Sequence, residues 1–482
     1  MNDDLCGPVL RLCDRVASRH TEGRLLDTAR RVAERLADGR LRIAVGGRMN
    51  AGKSTLVNAL IGRRIAPTDN TECTLVVTRY HPSHLDRVTV RSRSGAAREV
   101  RMGPRGGLPV EPGGLGWEPE DIEWVDVEFS GSTPAGCLLV DTPGLDSPNH
   151  GDEASLAALR DADATFFVMP HPGGEDAKAF AEIRRGTGTS WAAATGRIGV
   201  ISQIDWMPED SGDDPWPDAR RVAATYTAKL RDEVTEVIPV AGLLAETALG
   251  GDFTEDDAEA LGRLARHDLD ELDEALYDAD NFLGWDKGPL AEAARARLFR
   301  MLGVYGLRLC AEFCAAGPRS PAEILDHLRE RSGVDRLIER IEVALAPRTD
   351  WLRAVSALAR LTEAALADPR GGWLLDTVEE LGRRPAFVRA ELREALREME
   401  AGRPRLPAED IEALRRLATR PHPAEALGLP PGATRDELAR AAGREVSRWR
   451  RVEQDPALPP RLRRTARTAM ELCHGHHPDV RR

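Results

Sequence analysis

An α/β domain with a mostly parallel sheet, joined to an all-α helical bundle, is the fold the sequence predicts. Three observations predict it. From Leu41 to about Gly242, short β-like runs alternate with helical segments. From about Glu246 the β runs stop, and long Ala/Leu/Arg/Glu segments of helical period follow, broken at "PRSP", "APRTD" and "DPRGG". Between one β-like run and one helical segment lies "GGRMNAGKST" (46–55), a glycine-rich turn with a lysine inside it.

Taken in chain order, residues 7–39 read as two helices. "RLLDTARRVAERLADG" places Leu25, Ala29, Val32 and Leu36 on one face, with Gly39 as the stop. The β-like runs are "LRIAV", "LVVTRYH", "RVTVRS", "WVDVEF", "CLLVD", "TFFVM", "RIGVIS" and "EVIPV". The Gly/Pro-rich "GPRGGLPVEPGGLGWEPE" (103–120) reads as a surface loop. The expected organisation is N-terminal helices over 1–40, an α/β domain over 41–247, a helical bundle over 248–420 and a C-terminal helical segment with a frayed tail over 421–482.

The chain has 482 residues, 41% of them hydrophobic, enough for real cores in two or three domains. Its net charge of −12 excludes a broad nucleic-acid surface, which rests on neutralising phosphates with a basic face. None of the seven cysteines forms C-x-x-C, so neither a disulfide framework nor a zinc site is indicated, and Cys310 with Cys314, one helical turn apart, fits packing. The N-terminus "MNDDLCGPVL" is acidic and has no apolar signal core, so a cytoplasmic protein is expected. No stretch has the uninterrupted apolar length of a membrane span. The nearest, 298–317, is interrupted by Arg300, Arg308 and Glu312 and reads as a buried amphipathic helix.

Of the 67 lysines and arginines only four are lysine: Lys53, Lys178, Lys229 and Lys287. A chain so biased toward arginine uses lysine where a compact ammonium on a thin stem is required and a planar fork does not fit. Gly47, four residues, then Gly52-Lys53-Ser54 is the phosphate-loop spacing. With the strand-like Leu41–Val45 before it and the helical "STLVNALI" after it, residues Gly47, Arg48, Met49, Asn50, Ala51, Gly52, Lys53, Ser54 and Thr55 aim backbone N–H groups at an anion. Lys53 is expected to reach the β- and γ-phosphates, and the Ser54 hydroxyl to hold Mg²⁺.

A phosphate loop alone does not separate ATP from GTP users; later elements do. "LLVDTPGLD" ends a buried run at Asp141-Thr142-Pro143-Gly144, a D-x-x-G element, in which Asp141 serves Mg²⁺ through water and the Gly144 N–H senses the γ-phosphate. Between them, a switch threonine is needed to close over Mg²⁺. Thr68, Thr71 and Thr74 are available; Thr74, immediately before a strand, is the first choice and Thr71 the second. "IGVISQIDW" offers Asp205 to accept from guanine, in Ser202-Gln203-Ile204-Asp205 where N-K-x-D or T-K-x-D is usual. Gln203 for lysine is a departure, shorter and uncharged, that bears on affinity and selectivity. The last base-contacting loop is expected at Ala241 and Gly242.

With "NAGKSTLVNALIGRRIAPTDNTECTLVVTRY", "VDTPGLDS" and "IPVAGLLAETA" in view, residues 41–250 strongly resemble the bacterial dynamin-like GTPases, most of all the shorter actinobacterial kind related to the isoniazid-inducible proteins. The resemblance extends more weakly into "LGVYGLRLC", "LRERSGVDRL" and "PRTDWLRAVSALARL". It implies a GTPase head on a helical bundle, with the helices before the head packing with helices after it. It also implies nucleotide-driven self-assembly at a membrane: a homodimer through the heads, or pairing with a second dynamin-like protein, in peripheral contact with the inner face of the cell membrane. The second function class is a weakly hydrolysing GTP-binding assembly partner or switch without membrane remodelling. A ribosome-assembly role is disfavoured, because no basic RNA-binding domain accompanies the head.

Where Ras-type GTPases place a water-positioning glutamine, this chain has Leu145, followed by Asp146. Catalytic help therefore has to come from elsewhere. Asn50, two residues before Gly52, resembles the asparagine of GTPases that bind K⁺ in the active site, where the cation offsets developing charge. The plainer reading is that asparagine suits a left-handed loop backbone. Arg48 is a further candidate, acting across a dimer. Near the C-terminus, "HGHHPD" (474–479) reads as a frayed tail. "PAEALGLPPGATRDELARAAGREVSRWRRV" faintly resembles the first half of a J domain, with Glu453-Gln454-Asp455-Pro456 where His-Pro-Asp belongs. Arg448, Arg450, Arg451, Arg461, Arg463, Arg464 and Arg467 form a basic stretch that suits a solvated helix face or anionic lipid.

Overall fold

The computed structural model describes residues 4–68, 76–103, 106–109, 113–145, 151–170, 196–204, 214–230, 233–400 and 406–476. Thr71 and Thr74, Asp146, Asp205 and His477–Asp479 lie outside them.

A nine-stranded sheet carries the α/β region: β1 (Arg42–Gly47), β2 (Thr78–Ser83), β3 (Arg87–Ser92), β4 (Ala97–Val100), β5 (Ile122–Ser130), β6 (Leu138–Asp141), β7 (Ala164–Met169), β8 (Arg197–Ile201) and β9 (Val237–Pro239). Their spatial order is β4-β3-β5-β2-β6-β1-β7-β8-β9. β6, β1, β7, β8 and β9 run parallel, as expected for strands joined by helical crossovers. β2 pairs antiparallel with β6 and parallel with β5, and β3 is antiparallel to both β5 and β4. The parallel strands are mostly apolar and buried, fully so in "ATFFVM" of β7, because both their faces are covered.

Eight of the nine strands coincide with β-like runs in the sequence; β4, "AREV", does not. It has one β-branched residue and is largely exposed. It forms because Gly95, at φ 88°, closes a tight turn in which Gly95 N–H donates to the Ser92 carbonyl and Ser92 N–H to the Ala96 carbonyl. The Gly/Pro-rich insert is only partly a surface loop. Leu108 and Leu115 are buried, and the Leu108 N–H donates to the Ile65 carbonyl at 3.1 Å.

The described residues of 40–352 form one compact unit; those of 4–39 and 353–476 form another. This division cuts across the expected bundle over 248–420. Helices up to Pro321–Ser332 share the core of the sheet, with Leu261, Leu298, Leu302 and Leu328 in one cluster with Phe167 and Ile201. Within it the 24-residue helix Glu292–Ala315 is broken at Gly303 (φ 63°, ψ −176°). Cys310 and Cys314 are buried on this helix, and burial raises both thiols above the usual range.

In the second unit, helices Cys6–Arg19 and Arg24–Asp38 stand with the helical residues from Arg353 onward. Leu25, Ala29, Val32 and Leu36 are all buried. The Arg353 guanidinium donates to the Leu36 carbonyl, and Arg19 lies 4.2 Å over the Trp373 ring. A second core there surrounds Trp449 and Cys473. The expected tail is corrected up to His476: helix Pro460–His476 includes His474, and His476 is buried. Of the basic stretch, Arg448 approaches Asp410 at 3.4 Å, Arg467 Glu453 at 2.7 Å and Arg461 Glu398 at 3.8 Å, so these arginines are engaged within the unit. Among the described residues no helix is long and apolar enough to cross a membrane.

Candidate nucleotide site

β1 leads through the glycine loop into helix Lys53–Ile61, at the carboxyl ends of the parallel strands, where open α/β sheets bind ligands. The loop's glycines are required by close approach and by backbone sign. A Cβ on Gly47 (φ 149°) would lie 2.2 Å from the Val168 carbonyl oxygen, and Gly52 adopts φ 81°. Asn50 is left-handed too, at φ 58°, the conformation asparagine tolerates best among non-glycine residues. Arg48, Met49 and Asn50 are exposed, whereas Ala51 and Lys53 are buried. The Lys53 ammonium turns back into the loop and donates to the Arg48 carbonyl at 2.8 Å. Such threading suits the thin lysine stem, the property inferred from its rarity.

Across the loop, Asp141 ends β6 beside Val45 of β1. The Ser54 hydroxyl donates to Asp141 Oδ2 at 2.7 Å, while Asp141 Oδ1 is buried with no hydrogen-bond partner among the described residues. Burial pushes the Asp141 carboxyl up; the nearby Lys53 charge, the Ser54 hydroxyl and the Thr142 backbone N–H oppose that rise. An orphaned carboxylate oxygen next to a serine hydroxyl is a hard-oxygen donor set that fits Mg²⁺. The D-x-x-G turn is fixed from both sides. The Thr142 hydroxyl donates to the Val45 carbonyl at 2.9 Å, and Ser155 donates to the Pro143 carbonyl at 2.8 Å. Gly144 packs on the phosphate loop so closely that a Cβ would lie 2.7 Å from Met49 Cα. The Leu145 N–H donates to the Gly47 carbonyl at 3.2 Å, and its side chain packs against the core.

Base-side residues also reach the loop. The Ser202 hydroxyl donates to the Ala51 carbonyl at 2.6 Å. Gln203, left-handed at φ 52°, donates from Nε2 to the Asn50 carbonyl at 2.9 Å. Gly242 starts helix Gly242–Leu249 beside Thr55, 3.6 Å from where a glycine Cβ would stand, and the Ala241 N–H donates to the Ser332 carbonyl. The structure thus brings together Gly47 through Thr55, Asp141, Gly144, Ser202, Gln203, Ala241 and Gly242. Thr74 and Asp205 fall outside the described residues. Thr142 and Ser155 were missed, since a hydroxyl that braces a turn has no motif of its own.

A family model described as a 50S ribosome-binding GTPase matches residues 42–190. The isoniazid-induced protein IniC of Mycobacterium tuberculosis is 33% identical over 460 residues, spanning 92% of this chain and 91% of that protein. A bacterial dynamin-like protein of Nostoc punctiforme is 31% identical over 150 residues, 28% of this chain and 21% of its own length. Among solved structures, one from an oligomerised bacterial dynamin pair aligns over 100% of this chain and 76% of its own, at 11% identity and a TM-score of 0.35.

Proposed function

This chain belongs to the bacterial dynamin-like GTPases and is a GTP-hydrolysing P-loop enzyme, and we propose that it works with Mg²⁺ through paired heads at a membrane. The heads pair with a second copy or with another dynamin-like protein, in peripheral contact with the inner face of the cell membrane. The observation that carries the Mg²⁺ reading is the Ser54–Asp141 contact at 2.7 Å with Asp141 Oδ1 left over. Ser54 and Asp141, with Thr74 from the switch, would hold the ion, which when bound would offset the negative charge that develops on the phosphates.

The chain's own groups do the rest. Backbone N–H groups of the phosphate loop and the Lys53 ammonium bind and orient the β- and γ-phosphates. Gly144, seated against Met49, presents its N–H to the γ-phosphate. Asp205 accepts from the guanine base. Leu145 cannot polarise water, so charge stabilisation would be completed by a paired head and by a K⁺ that Asn50 would hold, whose charge would offset the one that develops. Leu145 and the family relationship support head pairing; the left-handed Asn50 backbone also has the plainer explanation of loop geometry.

GTP turnover measured against protein concentration, in K⁺ and in Na⁺, with and without anionic liposomes, tests this reading. Turnover per molecule is expected to rise with concentration and to be higher in K⁺, and Asn50→Ala to lose the K⁺ response while still binding GTP. The protein is expected to float with liposomes when GTP is present. Flat specific activity, equal in the two salts, excludes the paired-head mechanism, and failure to float under every nucleotide condition, with and without a partner, excludes the membrane role.

A further inference from the structure

One buried polar cluster near the nucleotide site belongs to none of its motifs. Asn58 stands in the apolar run "LVNALI" of the phosphate-loop helix and is fully buried. A carboxamide there is tolerated only if its hydrogen bonds are made. They are: Oδ1 accepts from the Ile65 N–H at 3.0 Å and the Ala66 N–H at 2.8 Å. Nδ2 donates to the Ala66 carbonyl at 2.9 Å and to Glu246 Oε1 at 2.8 Å.

Glu246, also buried, comes from helix Gly242–Leu249 behind the base loop, 188 residues away in sequence. Its other oxygen lies 3.4 Å from the Arg64 guanidinium. Burial pushes its carboxyl up, while Arg64 and Asn58 hold it down. Arg64 donates to the Thr247 hydroxyl at 3.3 Å, and Thr247 donates to the Met301 carbonyl at 2.5 Å, two residues before the break at Gly303. One carboxamide therefore fixes the chain at Ile65–Ala66, one carboxylate fixes that carboxamide, and the next residue of the same helix reaches the broken helix.

We propose that Asn58 and Glu246 are positioning residues for GTP hydrolysis. They hold the chain at Ile65–Ala66, where it leaves the phosphate-loop helix, in register with the base-loop helix. The inference rests on the reading of Thr74, downstream on that chain, as the switch threonine. Lys53 and Ser54, which grip phosphate and Mg²⁺, share none of these contacts, and Glu246 lies a full helical turn beyond Gly242, so loss of the pair costs turnover far more than it costs nucleotide binding. A misplacement of about 1 Å in a catalytic group costs roughly 100-fold in rate.

The test compares steady-state GTP turnover, fluorescent GTP affinity and thermal melting of the full chain. Asn58→Ala is expected to lower kcat by about 10- to 100-fold with GTP affinity held within about threefold of wild type. Glu246→Ala removes the acceptor of Asn58 Nδ2 and is expected to lose turnover in the same way. Glu246→Gln keeps an oxygen for that amide and is expected to hold kcat within about tenfold of wild type. This contrast decides the matter if Asn58→Ala does not fold. A folded Asn58→Ala with wild-type kcat, an equal loss of GTP affinity and turnover, or a folded Glu246→Gln as slow as a folded Glu246→Ala overturns the proposal. If Thr74→Ala turns over GTP at the wild-type rate, the switch reading is overturned and this inference with it. If Thr74→Ala is slow while folded Asn58→Ala is fast, the positioning pair alone is overturned.

Discussion

At the phosphate end of the site, Ser54 meets Asp141 at 2.7 Å and the Lys53 ammonium is enclosed by its own loop. At the base end, Ser202 and Gln203 turn to the same loop and donate to its carbonyls at Ala51 and Asn50. Both ends converge on eight residues of backbone, but they use side chains differently. The phosphate end assembles an ammonium, a hydroxyl and a carboxylate, the groups proposed to hold the phosphates and Mg²⁺. The base end braces the loop that carries them. Gln203, standing where the resembled motif has lysine, reaches the Asn50 carbonyl through its carboxamide.

The comparison breaks most readily at Lys53. Lys53→Ala removes the one ammonium inside the loop, and GTP turnover is expected to fall about 1000-fold, with fluorescent GTP binding weakened alongside it. Wild-type binding by this variant would remove Lys53 from the site. Next is Ser54→Ala, which strips one hydroxyl from the Asp141 pair; the Mg²⁺ concentration for half-maximal turnover is expected to rise about 10- to 100-fold, read from a Mg²⁺ titration. In wild type, chelating Mg²⁺ with EDTA should abolish turnover and its re-addition restore it. The smallest effect is expected from Gln203→Ala, which loses one neutral hydrogen bond worth about 0.5–1.5 kcal/mol, so GTP affinity is expected to fall by at most about tenfold. A larger loss in Gln203→Ala than in Ser54→Ala would reverse the assignment of the two ends.

The legible parts of this molecule were those encoded locally. Gly47, Gly52, Lys53 and Ser54 are adjacent in sequence, and Asp141 closes an apolar run, so spacing alone placed them; the structure gathers them around one loop. The parallel strands were visible as continuous apolar runs because both faces are covered. β4 was not, because an exposed edge strand held by the Ser92–Gly95 turn needs almost no apolar residues. The insert hid Leu108, whose burial depends on docking at Ile65. Asn58 and Glu246 were invisible for a related reason. Each looks like an isolated polar residue in an apolar helix, and only the fold supplies its partner. The grouping of helices beyond 248 with the sheet likewise depends on packing between distant segments, to which helical period is blind.

The division of labour between the two ends is tested most directly by a GTP titration of hydrolysis by wild type, Lys53→Ala and Gln203→Ala under one set of conditions. The account predicts that Lys53→Ala loses kcat by about 1000-fold, whereas Gln203→Ala keeps kcat within about threefold and shows its defect in KM. A Gln203→Ala kcat that falls as far as that of Lys53→Ala, or a Lys53→Ala kcat close to wild type, would contradict it.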